Sequence, residues 1–254
     1  MIASRESTTL RTMSDPSICV LPDAGAVARE AADRLAVMSR TAIATHGEFS
    51  VALAGGSTPK VMYELLAADP YRSRVEWERV AIYFGDERCV PPEHPESNYA
   101  MAREALLSKV PIPPSRVFRM RGEIDPNEAA MEYGQLLKQK FGDGGLDLVL
   151  LGMGDDGHTL SLFPGTAAVD EQEHRVVANY AEHSTTGKSW RITMTAPFVN
   201  RAHAVMVLVN GAKKAQRVQE VLEAERNPRR LPIQLIDPVN GRMIWLLDVP
   251  AAGM

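Results

Sequence analysis

The stretch Leu146-Asp147-Leu148-Val149-Leu150-Leu151-Gly152-Met153-Gly154-Asp155-Asp156-Gly157-His158 sets a very apolar run directly against a glycine-rich, acidic turn that ends in histidine. The run, Leu146–Leu151, reads as a buried strand, and the glycines read as the tight turn at its exit. Working outward, further short apolar runs are Ile18–Leu21, Val51–Ala54, Val80–Phe84, Arg175–Ala178, Val205–Val209 and Met243–Leu247. Between them Ala24–Thr45, Pro59–Ala67, Asn98–Leu107, Pro126–Lys140 and Ala212–Glu223 carry the helical period, with Val61, Leu65 and Leu66 as one example of its spacing. Strands alternating with helices predict βαβ units, hence an α/β fold with an open, mostly parallel sheet and helices on both faces, Rossmann-like in character.

A chain of 254 residues that is 45% hydrophobic can bury one sizeable core. Residues 15–254 are expected to form a single α/β domain, with residues 1–14 as a flexible, polar extension in which Met13 is a second candidate start. The net charge of −4 argues against a general nucleic-acid or membrane-surface partner, because both need a basic face. Two cysteines, Cys19 and Cys89, are too few for a disulfide framework in a chain this long and fit a reducing cytoplasm. The first residues hold no apolar run long enough for a secretory signal or a membrane span.

In an open parallel sheet, ligands bind beyond the carboxyl ends of the strands. Four such exits carry unusual residues. At Gly55-Gly56-Ser57-Thr58-Pro59 the glycines permit a positive-φ turn, Ser57 or Thr58 can cap, and Pro59 suits a first helical position. A helix end of this kind is suited to phosphate, although Gly-rich turns are also ordinary connections. Asp86-Glu87-Arg88 puts three charges at the exit of Val80–Phe84. Read as function, Arg88 stabilises an oxyanion or grips a polar substrate and Asp86 orients a water or a hydroxyl; read as structure, the triplet is a solvated ion pair. In Asp156-Gly157-His158 an imidazole with an unperturbed pKa of roughly 6.5 stands beside a carboxylate, a usable general base. His46, His174, His183 and His203 are read as surface or core residues. Lys213 and Lys214 oppose a helix dipole and so invite an anion, although lysines on solvated helices are common. Arg191, in an alternating stretch from Trp190 to Thr195, is read first as part of a half-buried strand and second as a further phosphate partner. Carboxylates with one histidine lack the His/Cys spacing of a metal site, so no metal and no cofactor is expected.

Taken together, Leu53-Ala54-Gly55-Gly56-Ser57-Thr58-Pro59, Gly85-Asp86-Glu87-Arg88-Cys89-Val90-Pro91, His94-Pro95-Glu96-Ser97-Asn98-Tyr99, Leu151-Gly152-Met153-Gly154-Asp155-Asp156-Gly157-His158-Thr159 and Ser161-Leu162-Phe163-Pro164-Gly165 resemble the 6-phosphogluconolactonases, which are related in fold to the glucosamine-6-phosphate deaminases. The resemblance covers nearly all of the chain after the extension. It implies hydrolysis of 6-phospho-D-glucono-1,5-lactone to 6-phosphogluconate, in the oxidative pentose phosphate pathway. It also implies a phosphate held by Gly55, Gly56, Ser57, Thr58 and Lys214, with His158 at the lactone and Arg88 in the active site. Leu160 stands where that motif usually has alanine and is expected to alter packing behind the site. Phe163 and Arg88 stand where the deaminases have glutamate and tyrosine.

The expected catalytic set is His158, Asp156, Arg88 and Asp86, with either Asp156 or Asp86 orienting the imidazole or a ring hydroxyl. Cys89 and Ser161 are not needed as nucleophiles. The expected partner is a small sugar-phosphate lactone, and the expected assembly a monomer or weak homodimer. Three rivals are an amino-sugar-phosphate deaminase, a sugar-phosphate sensor without turnover, and a dinucleotide-binding enzyme built on Gly152-x-Gly154-x-x-Gly157.

Overall fold

A computed structural model of the protein describes residues 17–181 and 189–254; the expected extension at residues 1–14, Met13 within it, and His183 lie outside the described residues. Strand β1 (Ile18–Leu21) leads into α1 (Ala24–His46), β2 (Phe49–Leu53), α2 (Ser57–Leu66), β3 (Val80–Phe84), β4 (Asp86–Arg88) and α3 (Asn98–Ala102). Then come α4 (Pro126–Phe141), β5 (Leu148–Leu151), β6 (Val176–Ala181), β7 (Ser189–Met194), α5 (Ala196–Val199), β8 (Ala204–Val209), α6 (Ala215–Glu223) and β9 (Arg242–Asp248). The helix boundaries follow local chemistry. Asp23 caps α1 by accepting from the Ala26 N–H at 2.7 Å, and Gly47 ends it in the left-handed region at φ 92°. Asp125 caps α4 through the Asn127 and Glu128 N–H groups, with Pro126 in its first turn.

Six strands form one sheet in the order β1-β9-β8-β5-β2-β3, every pairing parallel. Alternate residues of each strand face opposite layers. Phe49, Val51 and Leu53 of β2 pack with Val27, Ala31 and Leu35 of α1 and Met62 and Leu66 of α2. Ala52, Val149 and Leu151 face the other way, toward Tyr133 and Leu137 of α4 and Ile192 and Met194 of β7. The expected α/β architecture, with helices on both faces, is what the chain forms.

Two expectations are corrected. Arg175–Ala178 was read with the parallel set, but Val176–Ala181 belongs to a second, antiparallel sheet in the order β4-β7-β6. Asp86-Glu87-Arg88, read as a strand exit, is itself the edge strand of that sheet. The chain changes sheets at Gly85, whose N–H donates to Leu53 O at 3.0 Å while its carbonyl accepts from Met194 N at 2.8 Å. Element ends also shift: Ala212–Lys214 is a 3₁₀ turn ahead of α6, and Arg103–Leu107 continues α3 as a wider π turn. Among the described residues, no helix is long and apolar enough to cross a membrane.

Because β5 lies between β2 and β8, the chain order reverses at the β2–β5 boundary, a switch point where parallel sheets open a crevice. The exits of β2, β5 and β8 are therefore neighbours.

Candidate active site

A cleft of about 270 Å³ opens at these exits, lined on one side by residues 54–59 and on the other by Gly152, Met153, Gly154 and His158, with Asp86, Arg88, Asn98, Asn210 and Lys214 closing it. The β2–α2 turn differs in detail from expectation. Gly56, at φ 103°, is the N-cap, α2 begins at Ser57, and no side chain caps it. The Ser57 and Thr58 hydroxyls and the first N–H groups of the helix thus face a concave wall, the arrangement that holds phosphate. The turn is pinned from behind by the buried Tyr63 hydroxyl, which accepts from Ala54 N and donates to Ala54 O, both at 2.9 Å. Lys214 reaches in from the far side, donating to Met153 O at 2.7 Å and pairing with Asp155 at 2.6 Å. Asp155 is mostly exposed, so an arriving phosphate can displace it without stranding a buried charge.

At the β5 exit, His158 Nδ1 lies 2.6 Å from Asp156 Oδ1, which also accepts from the His158 N–H at 3.0 Å. This loop folds on Gly154: a Cβ there would run into the His158 ring, so the imidazole lies across bare backbone. The ring is 30% exposed, and Phe163 stands 4.6 Å away, centroid to centroid. Burial works to raise the Asp156 carboxyl, but the His158 hydrogen bond and charge outweigh it and bring it from 3.8 down to about 2. The carboxylate on the imidazole is thus Asp156. Asp86 is engaged elsewhere, its two oxygens accepting from Asn98 Nδ2 at 3.1 Å and Ser161 Oγ at 2.6 Å.

Arg88 donates to Glu96 O at 2.5 Å, while its Nε is buried without a partner beside the cleft. Arg191 does not line the cleft. It pairs across strands with Arg88 in register, its side chain is 2% exposed, and it bonds Ser189 Oγ and Trp190 O. Burial and the neighbouring Arg88 charge push its basicity down. Cys89 is outside the cleft lining, and burial pushes its thiol up to about 11, far from a nucleophilic thiolate. Ser161 is buried with its hydroxyl committed to Asp86.

Leu160, expected behind the site, lines the cleft, held at φ 54°. Asn98 and Asn210 also line it and were given no role from sequence; Asn210 Oδ1 is buried and unpartnered. Asn98 lay inside a quoted motif and Asn210 directly after the run Val205–Val209, and an asparagine at the start of a helix or at a strand exit was the available signal. Glu87 was the third omission, and strand alternation could have separated it from Asp86 and Arg88. Gly152 to Gly157 opens no helix, since the next helical turn after β5 is Ala167–Val169, so the dinucleotide reading lacks its structural context. Among the described residues, no three His, Cys, Asp or Glu side chains group as metal ligands.

Fold and site together define an α/β protein whose sheet edge brings an uncapped helix N-terminus close to a carboxylate-held imidazole. Over residues 22–245 the chain matches the family described as glucosamine-6-phosphate isomerases/6-phosphogluconolactonase, and it belongs to that family. It is 37% identical to a 6-phosphogluconolactonase of Nostoc sp. over 91% of this chain and 95% of the relative. With one of Synechocystis sp. the identity is 40% over 83% and 86%. The solved 6-phosphogluconolactonase of Trypanosoma brucei superposes with a TM-score of 0.83 at 29% identity, covering 94% of this chain and 98% of that one. A monomeric glucosamine-6-phosphate deaminase shares the fold, with a TM-score of 0.81 at 21% identity.

Proposed function

We propose that the protein hydrolyses 6-phospho-D-glucono-1,5-lactone to 6-phosphogluconate, with His158 as general base. The observation that carries this reading is the 2.6 Å contact between Asp156 and His158 Nδ1, which leaves Nε2 as the nitrogen available to a water in the cleft. The phosphate docks on the α2 N-terminus, Ser57, Thr58 and Lys214, fixing the lactone against the β5 loop. His158 takes a proton from water as the oxygen attacks the ester carbonyl. Arg88 stabilises the charge that develops on the carbonyl oxygen, and Asp86 accepts from a ring hydroxyl. When the C–O bond breaks, the proton passes from His158 to the ring oxygen, which becomes the product's hydroxyl. No covalent intermediate is needed, in keeping with the committed Ser161 hydroxyl and the raised Cys89 thiol.

Phe163 beside His158 speaks against the deaminase alternative, since a phenyl ring cannot place a second carboxylate on the imidazole. The same reading takes the residues from 15 onward as one domain, a monomer or weak homodimer in the cytoplasm, with Cys19 and Cys89 free and no metal, cofactor, nucleic acid or membrane required. Arg191, buried beside Arg88 and outside the cleft lining, takes no direct phosphate contact in this reading. The test is parallel assays on purified protein. Acid release from the lactone above its spontaneous rate, without ammonia release from glucosamine-6-phosphate, is expected. Ammonia release would establish the deaminase, and ligand-induced stabilisation without turnover would establish a sensor.

A further inference from the structure

On β4 the side chains of Asp86 and Arg88 reach the cleft, while Glu87 between them turns inward and is 2% exposed. A buried carboxylate is costly unless fully hydrogen-bonded. Glu87 Oε1 accepts from Arg88 N at 2.8 Å and Asn98 N at 2.7 Å; Oε2 accepts from Tyr99 N at 2.8 Å and Ser97 Oγ at 3.1 Å. These donors lie on β4 and on the segment 96–99, which is also the segment that touches the cleft groups. Glu96 O takes the Arg88 guanidinium at 2.5 Å, and Asn98 Nδ2 holds both Asp86 O at 2.9 Å and Asp86 Oδ1 at 3.1 Å. On its other side the Asn98 amide fills the space a Cβ of Gly55 would need, so the same residue abuts the phosphate turn.

We propose that Glu87 is a positioning residue for the hydrolysis: by holding residues 97–99 against β4 it fixes where Asp86 and Arg88 stand in the cleft. The inference rests on the lactonase reading above. Its chemistry requires a carboxylate. Three of the donors are backbone N–H groups, which cannot turn round to accept, so a glutamine of equal size presents an NH₂ to at least one of them and loses that bond. Burial raises the Glu87 carboxyl despite these donors, so the group is retained at a cost in charge solvation, as expected of a geometric fixture.

The test is steady-state acid release by Glu87→Gln, measured well below its melting temperature on protein shown to be folded by circular dichroism. Loss of a fraction of an ångström in placement should lower kcat by on the order of tenfold to a hundredfold. KM should stay within about threefold of wild type, because Ser57, Thr58 and Lys214 are untouched. In an Asp86→Asn, Arg88→Lys background the same change should cost less than about threefold in kcat, since its targets are already impaired. Should Glu87→Gln not fold, Glu87→Asp, which keeps the charge and shortens the reach, should show the same kcat-selective loss. A folded variant with wild-type kcat, or an undiminished loss in the impaired background, overturns the positioning role while leaving the lactonase reading in place. Wild-type protein without lactonase activity overturns both.

Discussion

Two aspartate–histidine pairs stand at opposite ends of one strand. Ahead of β5, Asp147 accepts from Ser50 N at 2.8 Å and Ser50 Oγ at 2.7 Å and lies 3.0 Å from His46 Nε2 and 3.5 Å from His203 Nδ1. Beyond β5, Asp156 holds His158. The first carboxylate is only 10% exposed and ties β2 to β5, with the end of α1 drawn in by His46 and the residue ahead of β8, His203, close by. The second lies across a glycine loop beside a cleft that also contains a helix end and Lys214. The contact chemistry is nearly the same in both. What separates a fastening from a candidate active site is the ground around the pair: beyond β5, His158 shares one cleft with the open start of α2 and Lys214, whereas the hollow at the amino ends, lined by Glu48, Ala81, Arg116 and Lys140, includes neither Asp147 nor His46 in its lining.

The comparison can be broken most forcefully at the histidines. His158→Ala should lower kcat by roughly a hundredfold or more, the scale for a positioned base, and His46→Ala should leave kcat unchanged. Steady-state acid release by the two purified variants decides it. The carboxylates come next. Asp156→Asn should reduce kcat by on the order of tenfold or more through loss of imidazole orientation, with only a modest loss of stability because the carboxylate is about half exposed. Asp147→Asn should do the reverse, costing about 1–3 kcal/mol of unfolding free energy by disrupting a buried hydrogen-bonded carboxylate, with kcat retained. Chemical denaturation alongside kinetics separates the two. A smaller effect concerns pH. The folded Asp156 carboxyl is depressed to about 2 from 3.8, so its stabilising contribution is present above the unfolded value and is lost as pH falls through the folded one. Acid unfolding of wild type and Asp156→Asn should therefore differ by a constant amount at neutral pH and converge in strong acid. In the neutral range the Asp156 carboxylate stays charged. The smallest expected effect is none: EDTA should leave activity intact, and a loss restored by zinc or magnesium would bring in metal-assisted hydrolysis.

Much of this was legible in the linear sequence because local chemistry and tertiary placement agree. Ile18–Leu21 and Val80–Phe84 form strands with the expected limits, and the four glycine- or charge-bearing exits converge because parallel strands all end on one edge. The second sheet was not legible. Asp86-Glu87-Arg88 is too short and too charged to announce a strand; it becomes one only because Gly85 passes the chain from Leu53 to Met194. The cap at Ser57 or Thr58 was misjudged for a related reason, since Gly56 takes the capping position and neither hydroxyl caps the helix, the Thr58 oxygen accepting instead from Asn210 Nδ2 at 3.4 Å. The alternation around Arg191 rightly signalled a half-buried strand, and the second reading, a phosphate partner, is set back by its place beside Arg88 and outside the cleft lining. Long-range hydrogen bonds such as Ser161 to Asp86, seventy-five residues apart, leave no local trace at all.

The proposed mechanism turns on activation of water for lactone opening by the Asp156–His158 pair at the carboxyl end of β5. It is tested most directly by pH-stat recording of acid release from freshly prepared 6-phosphogluconolactone, with the spontaneous rate subtracted, for wild type and His158→Ala side by side. Rapid release is expected of wild type, and release near the spontaneous rate of a folded His158→Ala protein. Near wild-type hydrolysis by that folded variant would contradict it and move the base to Asp86.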